Sequence, residues 1–368
     1  MKSDASLKRV APPLPYAPRD PARSFRIGLI GCGDITKWHL KAYRKAGYSV
    51  VALCDIDPAR AAARRRRFYP QAAVYSDYRD LLARADIDVL DVTPHPQERA
   101  PILEAAIDTG RHTLSQKPFT LDLDFGRRLV RRAARKGVKL AVNQNGRWAP
   151  HFAYIREAAR AGLIGAVNSV HMSVHWSHNW VVDFPAFNRM RHLILYDFAI
   201  HWFDMLHSLM APRRARRVYA SFTRTPGQAA RPALLGQAVV QYDDAQASLV
   251  FDGDQRIGGQ DRVFVGGDQG SLTSLGFHRA PPKVTLTTAA GAVSPKLRGK
   301  WFPDGFHGAM GELLCAIEED REPSHGAAEN LHGLALCFAA VQSAETGKPV
   351  APGSCKRLEK RWLRPVTS

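Results

Sequence analysis

The sequence predicts an α/β protein of two domains: an N-terminal doubly wound parallel sheet of Rossmann type, then a C-terminal α+β domain with a large open, mainly antiparallel sheet. Three observations predict it. From residue 25 short apolar runs alternate with helical patterns; beyond residue 150 the runs become longer alternating strands; and 368 residues exceed what one core usually supports.

Residues 11 to 21 hold five prolines, which deny helix and sheet donors, so residues 1–24 are expected to form an extended arm, with a neighbouring subunit as its candidate partner. The domain at 25–146 follows. Its strands are expected near "FRIGLI", "SVVALC", "AAVY", "DVLDV", "HTL" and "KLAV", with helices after the first five. Asp57 can cap the helix after the second strand, and Pro58 fits its first position. In the domain at 147–368, strands are expected in "VNSVHMSVHWS", "RRVYASFTR", "GQAVVQYDD", "QASLVFDG", "RVFVGG" and "KVTLTT". Turn residues in "YDDAQ" and "GGDQG" suit a meander, and helices are expected over 150–161, 190–210, 306–319 and 327–346.

No apolar stretch approaches the roughly 18 residues of a membrane span, and the start has no apolar core of a secretory signal, so a cytoplasmic protein is expected. The five cysteines are scattered without a CxxC pair and are read as free thiols. The net charge of +18 raises nucleic acid as a partner. Against it, Arg127, Arg128, Arg131, Arg132 and Arg135 recur at helical spacing without interleaved aromatics, as a solvated helix face does.

Gly31 and Gly33 lie where the first strand meets a helix, and Thr36 stands at the place of the third glycine of a GxGxxG fingerprint. The turn Gly31, Cys32, Gly33, Asp34 and Ile35 is therefore the candidate pyrophosphate cradle, its amides and helix dipole facing the anion. Asp55 ends the second strand about 20 residues on, where a carboxylate accepts hydrogen bonds from the adenosine ribose and repels a 2′-phosphate. NAD is thus expected, with Arg60 and the arginines at 64 to 67 leaving NADP open. Thr93, Pro94 and His95 end the fourth strand at the ligand edge of the sheet and are cofactor-lining candidates.

Gln116 and Lys117 follow the fifth strand, which puts the amine at the same edge, fixed by Pro118. In the apolar helix 191–210, Asp197, His201, Asp204 and Ser208 form a polar stripe; Asp197 and His201 are one turn apart and can meet one ligand. A core histidine and a metal pair completed by His171 and His175 are the competing readings, but no HExxH motif or cysteine cluster supports a metal. With a lysine at the sheet edge, an acid/base site for alcohol oxidation is the favoured one.

Taken together, "IGLIGCGDIT", "VTPHPQERAPILEAAIDTGRHTLSQKP", "NQNGRWAP", "GLIGAV", "DFAIHWFD" and "SAETGKPV" resemble, in order, the family of glucose-fructose oxidoreductase, inositol dehydrogenase and rhizopine-catabolism proteins (Gfo/Idh/MocA) over roughly residues 25 to 352. The resemblance implies NAD or NADP, a sugar or polyol substrate, and subunit contacts through the open sheet, hence a homodimer or homotetramer. It also implies that His201 takes the hydroxyl proton, Lys117 holds that oxygen, Asp197 orients substrate or histidine, and Asn145 joins the cofactor-lining residues. His178 and Asn179 are further substrate-side candidates, and Arg147 is a substrate-side or nicotinamide-side candidate with a structural role as its alternative. Gln116 stands for the motif's glutamate, Arg99 for a common histidine, Ala199 for a common glycine and "RMRH" for a glycine pair, so an unusual substrate is expected. A non-catalytic NAD-binding sensor and an NAD-dependent glycoside-cleaving enzyme are the alternatives.

Overall fold

The computed structural model describes residues 12–277 and 282–359; residues 1–11 of the expected arm and 360–368 of the expected second domain lie outside them. The chain forms two units, one of residues 17–149 with 299–331, the other of 150–298 with Tyr16 and the chain from His332 on.

In the first unit the six expected strands form β1 (Arg26–Ile30), β2 (Ser49–Cys54), β3 (Ala73–Tyr75), β4 (Val89–Val92), β5 (His112–Gln116) and β6 (Leu140–Asn143). All pair in parallel, in the order β3-β2-β1-β4-β5-β6. The five expected helices are α1 (Thr36–Ala46), α2 (Pro58–Phe68), α3 (Tyr78–Leu82), α4 (Pro96–Asp108) and α5 (Leu123–Arg135). Strand order reverses between β1 and β4, so the loops leaving these strands diverge at the sheet's carboxyl edge and leave room for a ligand. Both faces of the sheet are covered, which is why β4 is buried along its whole length and reads as a continuous apolar run broken only by Asp91.

Local signals account for the helices. Asp57 accepts the Ala59 amide at 3.0 Å ahead of Pro58, as expected. On α5, Leu123, Gly126, Leu129 and Ala133 turn inward, while Arg127 pairs with Asp124 at 2.6 Å and Arg132 pairs with Asp108. The arginine row is a solvated face.

The chain crosses between the units after Tyr16, Ala149, Arg298 and Leu331, so the second domain expected at 147–368 is not one contiguous stretch. Residues 299–331 return to the first unit, where helix Trp301–Glu318 packs on α1 and on the 3₁₀ turn Asn145–Trp148. Phe306, Met310, Leu313 and Leu314 complete the core of Ile27, Leu29, Leu40 and Tyr43. Residues 12–24 have no helix or strand, as expected of an arm, and their later part belongs to the chain's own first unit. The amides of Ala22 and Arg23 donate to Glu318 at 2.9 and 2.8 Å, and Asp20 accepts from the Tyr48 hydroxyl at 2.5 Å.

The second unit carries β7 (Val167–His175), β8 (Arg217–Thr223), β9 (Leu235–Gln241), β10 (Gln246–Asp252), β11 (Gln260–Gly267), β12 (Gly270–Phe277), β13 (Lys283–Thr288) and β14 (Gly291–Val293). Their order is β14-β13-β12-β11-β7-β10-β9-β8, antiparallel except where β7 meets β10. Helices α6 (Pro150–Arg160) and α7 (Ile200–Met210) pack together, and Trp202 of α7 meets Phe251 of β10 with ring centroids 5.6 Å apart. The opposite face stays open. Tyr219, Val239, Ser248, His171, Phe264 and Thr273 stand in register across five neighbouring pairs of strands on it. Among the described residues no helix is long and apolar enough to cross a membrane. The five cysteines are free and buried, as expected.

Candidate active site

The glycine turn begins where Gly31 donates its amide to the Cys54 carbonyl at 2.7 Å and adopts φ 92°, a conformation side chains rarely take. A Cβ on Gly31 would lie 2.6 Å from the Thr93 hydroxyl oxygen, so the residue is required by both conformation and space. Around Gly33 no atom lies within 4 Å of a would-be Cβ, so the backbone there is open to a ligand. Thr36, in place of the third glycine, is buried and donates its hydroxyl to the Gly33 carbonyl at 2.6 Å; α1 then starts without a side-chain cap on its first amides. Those amides suit an anionic pyrophosphate.

Asp55 is 8% exposed at the end of β2. Its carboxylate accepts the Cys32 amide at 2.6 Å and the Asp57 amide at 2.9 Å, which fixes it against the glycine turn with lone pairs to spare for ribose hydroxyls. Arg64 donates to the Gly33 carbonyl at 2.8 Å. Burial, with the Asp55 charge beside it, pushes the Cys32 thiol up to about 12, so Cys32 lines the turn as an inert neutral group.

Thr93 fastens this turn, donating to the Gly31 carbonyl at 2.8 Å, and His95 begins α4 by accepting the Arg99 amide at 2.9 Å. Arg99 is fully buried; its guanidinium donates to the Pro94 carbonyl at 2.8 Å and also to the Pro118 carbonyl. One side chain thus ties the loop after β4 to the loop after β5, where Lys117 stands. The Lys117 amide donates to the Gln116 side-chain oxygen at 2.7 Å. Asn145 is buried, and its side-chain oxygen accepts the Trp301 indole N–H at 2.7 Å. Arg147 is buried and donates to the Ser324 carbonyl at 2.5 Å. Both side chains hold the returning segment, so neither takes up its expected ligand contact by these bonds.

In the second unit the expected helix 190–210 is two structures. Leu193–Phe198 is π-helical, closed by the Ala199 amide on the Ile194 carbonyl at 2.9 Å, and α7 follows. Such wide turns add a residue and re-aim side chains, often at functional sites. Asp197 in the wide turn and His201 in the first turn of α7 are both partly exposed, whereas Asp204 is buried. The stripe therefore divides into a reachable pair and an interior carboxylate. Arg191 and His192, from "RMRH", both bond Glu345 at 2.6 Å, which anchors the start of the wide turn.

His178 and Asn179, expected on the substrate, are given other duties by the structure. His178 is buried, with ring centroids 4.8 Å from Trp176 and 4.0 Å from Phe198. The Asn179 side-chain oxygen accepts the Ala229 and Ala230 amides at 3.0 and 3.1 Å, and its NH₂ donates to Asp254 at 2.5 Å and to Ser177. Its hydrogen-bonding capacity is spent on bracing loops. Within the sheet His171 bonds Ser248 at 2.7 Å, and His175 lies 3.8 Å from Asp252. Residues that sequence reasoning missed are His39, Tyr43 and Asp91, a buried cluster joined to Gln116; Asp91 lies in a strand buried along its whole length, where no alternation marks it, and His39 and Tyr43 lie one turn apart among the buried residues of α1.

Comparison with known proteins matches residues 25–144 to the model of an oxidoreductase family with an NAD-binding Rossmann fold, and residues 152–273 to the GFO/IDH/MocA C-terminal domain. A D-apiose dehydrogenase of Paraburkholderia graminis is 27% identical over 89% of this chain and 90% of its own length. An inositol 2-dehydrogenase of Rhizobium meliloti is 25% identical over 89% and 98%. Among solved structures, an oxidoreductase from Agrobacterium radiobacter in complex with NAD+, L-tartaric acid and magnesium has the same fold, with a TM-score of 0.81 at 20% identity over 90% of this chain and 99% of that one. The matched models follow one another as the strand topologies of the two units do, and the glycine turn with Asp55 has the geometry that a dinucleotide needs. The chain belongs to the Gfo/Idh/MocA oxidoreductase family and is an NAD(P)-dependent dehydrogenase.

Proposed function

We propose that this enzyme oxidises a secondary alcohol of a carbohydrate or cyclitol, or reduces the matching ketone, with NAD preferred to NADP. The observation that carries the reading is Lys117, held directly after β5 and tied through Arg99 to the loop after β4 in the dinucleotide-binding unit. The names of the relatives, an apiose and an inositol dehydrogenase, support the substrate class. Asp55 supports NAD, since a buried carboxylate at the ribose position repels a 2′-phosphate.

NAD, when bound, supplies the nicotinamide carbon that takes the hydride. In the roles proposed here, the Lys117 ammonium donates to the substrate oxygen and stabilises charge developing on it. His201 accepts the hydroxyl proton as the carbon–hydrogen pair of electrons leaves and the carbonyl forms. Asp197, one turn before His201, orients the imidazole or a neighbouring hydroxyl. Gly31, Gly33 and Asp55 hold the dinucleotide, with Thr93 bracing the turn.

The chain is further proposed to assemble as a homo-oligomer through the open sheet face. Tyr219, Val239, Phe264 and Leu275 are each 40–51% exposed there, a density of apolar side chains that suits burial against a second copy.

The test is a panel of sugars and inositols offered with NAD and with NADP, read by nicotinamide absorbance. A sugar or cyclitol that drives NAD reduction at least about tenfold more efficiently than NADP reduction is the expected result; equal use of both cofactors contradicts the role of Asp55, and no reduction with any member contradicts the substrate class.

A further inference from the structure

We propose that Gln116 is a positioning residue for Lys117, fixed by a one-way chain of buried hydrogen bonds ending on Asp91, in which His39 is a neutral imidazole. The importance of Lys117 to turnover rests on the function proposed above; the order of the chain does not.

The direction of the chain follows from one backbone group. An amide N–H can only donate, so the side-chain atom of Gln116 that lies 2.7 Å from the Lys117 nitrogen is its oxygen. The Gln116 NH₂ group therefore faces the other way, to the Nε2 of His39 at 3.2 Å. The NH₂ of Asn143 reaches the same Nε2 at 3.1 Å. Nε2 accepts, and carries no proton. The ring proton is then on Nδ1, which donates to Asp91 at 2.7 Å. The Tyr43 hydroxyl donates to the same carboxylate oxygen at 2.7 Å. Burial, with the Asp91 charge, holds the Tyr43 phenol well above its ordinary value, so it stays a donor.

His39, Tyr43, Asp91 and Asn143 are 0% exposed and Gln116 is 6% exposed, so water does not compete for these bonds. His39 is met by Tyr43 from its own helix α1, Asp91 from β4, Gln116 from β5, Asn143 from β6 and the Phe306 ring at 4.7 Å from helix Trp301–Glu318. Asp91 is the only charge among them. An imidazolium would press an Nε2–H against the NH₂ of Gln116, which cannot turn over without stranding the Lys117 amide. A carboxylate at position 116 has the opposite need: it accepts from Lys117 and also requires a proton on Nε2. The neutral glutamine and the neutral histidine are one matched choice.

The experiment uses the full-length protein without cofactor. Long-range ¹H–¹⁵N spectra of the histidine rings are expected to show His39 as the Nδ1–H tautomer, and as a doubly protonated ring in Gln116→Glu. A doubly protonated or Nε2–H ring in the unaltered protein overturns the proposal. Amide hydrogen exchange at Lys117 is expected to be slow and to quicken by about tenfold or more in Gln116→Leu, with Gln116→Glu retaining protection. Equal exchange in Gln116→Leu and the unaltered protein overturns the positioning role. On an oxidised substrate, Gln116→Leu is expected to lower kcat by about tenfold while KM and the NADH Kd stay within about twofold, and Gln116→Glu to restore kcat. If no sugar is oxidised, the spectra and the exchange still decide the chain, and only the function reading fails.

Discussion

Gly31 shows how a single position joins backbone geometry to ligand binding. Its positive φ and the 2.6 Å approach to Thr93 leave no room for a methyl group. Gly31→Ala is expected to cost about 1–3 kcal/mol of stability and to weaken NAD binding by about tenfold or more, checked by thermal unfolding and by calorimetric titration. The places of Gly31, Asp55 and Lys117 were legible in the sequence because they are local: each directly follows a strand of the parallel sheet, the edge at which ligands of such sheets bind. His178 and Asn179 were not. Whether a polar side chain is available depends on what else claims it, and Asn179 is claimed by Ala229, Ala230 and Asp254, some 50 to 75 residues away. Arg147 and Asn145 are claimed in the same way by a segment that returns after residue 299.

At the scale of elements, the wide turn Leu193–Phe198 escaped the sequence because its apolar pattern is also that of an α-helix; the two differ in bonds such as that of the Ala199 amide to the Ile194 carbonyl, five residues back. The meander was foreseen, but the place of β7 between β11 and β10, parallel to the latter, rests on pairing over 77 to 100 residues that no local signal encodes. That strand pair brings Asp261 of β11 to Trp176, whose indole N–H donates to it at 2.5 Å. Burial raises the Asp261 carboxyl from 3.8 to about 6, against the lowering effect of the Trp176 bond. The folded state thus holds this proton more tightly than the unfolded chain, so its contribution to stability is full below about pH 4 and is lost as pH rises through about 6. Asp261→Asn keeps an acceptor for Trp176 and is expected to raise stability at pH 8 by roughly 2 kcal/mol with little change at pH 4. Urea unfolding at the two pH values checks this; an equal gain at both would contradict it.

For the whole molecule, the sequence placed helix Trp301–Glu318 near its true bounds but could not assign it to a unit, since an apolar helix does not specify which sheet it covers. The same limit hid the docking of residues 19–23 on Tyr48, Glu318 and Glu319. Deleting residues 1–24 is expected to lower the melting temperature and leave the assembly mass unchanged, because the described bonds of residues 19–23 are made within the chain. The assembly itself is expected to depend on the open sheet: Phe264→Asp, on a residue 40% exposed at its middle, should convert the oligomer to monomers with the fold intact. Light scattering checks both, and an unchanged mass for Phe264→Asp would remove that face as the interface.

In the proposed reaction an amine, an imidazole and a carboxylate from distant parts of the chain serve one alcohol oxidation. It is tested most directly by nicotinamide reduction in Lys117→Ala and His201→Ala beside NAD affinity in the same proteins. The account predicts a loss in kcat of about a thousandfold or more with NAD binding within about twofold; turnover unaltered in either variant would contradict it.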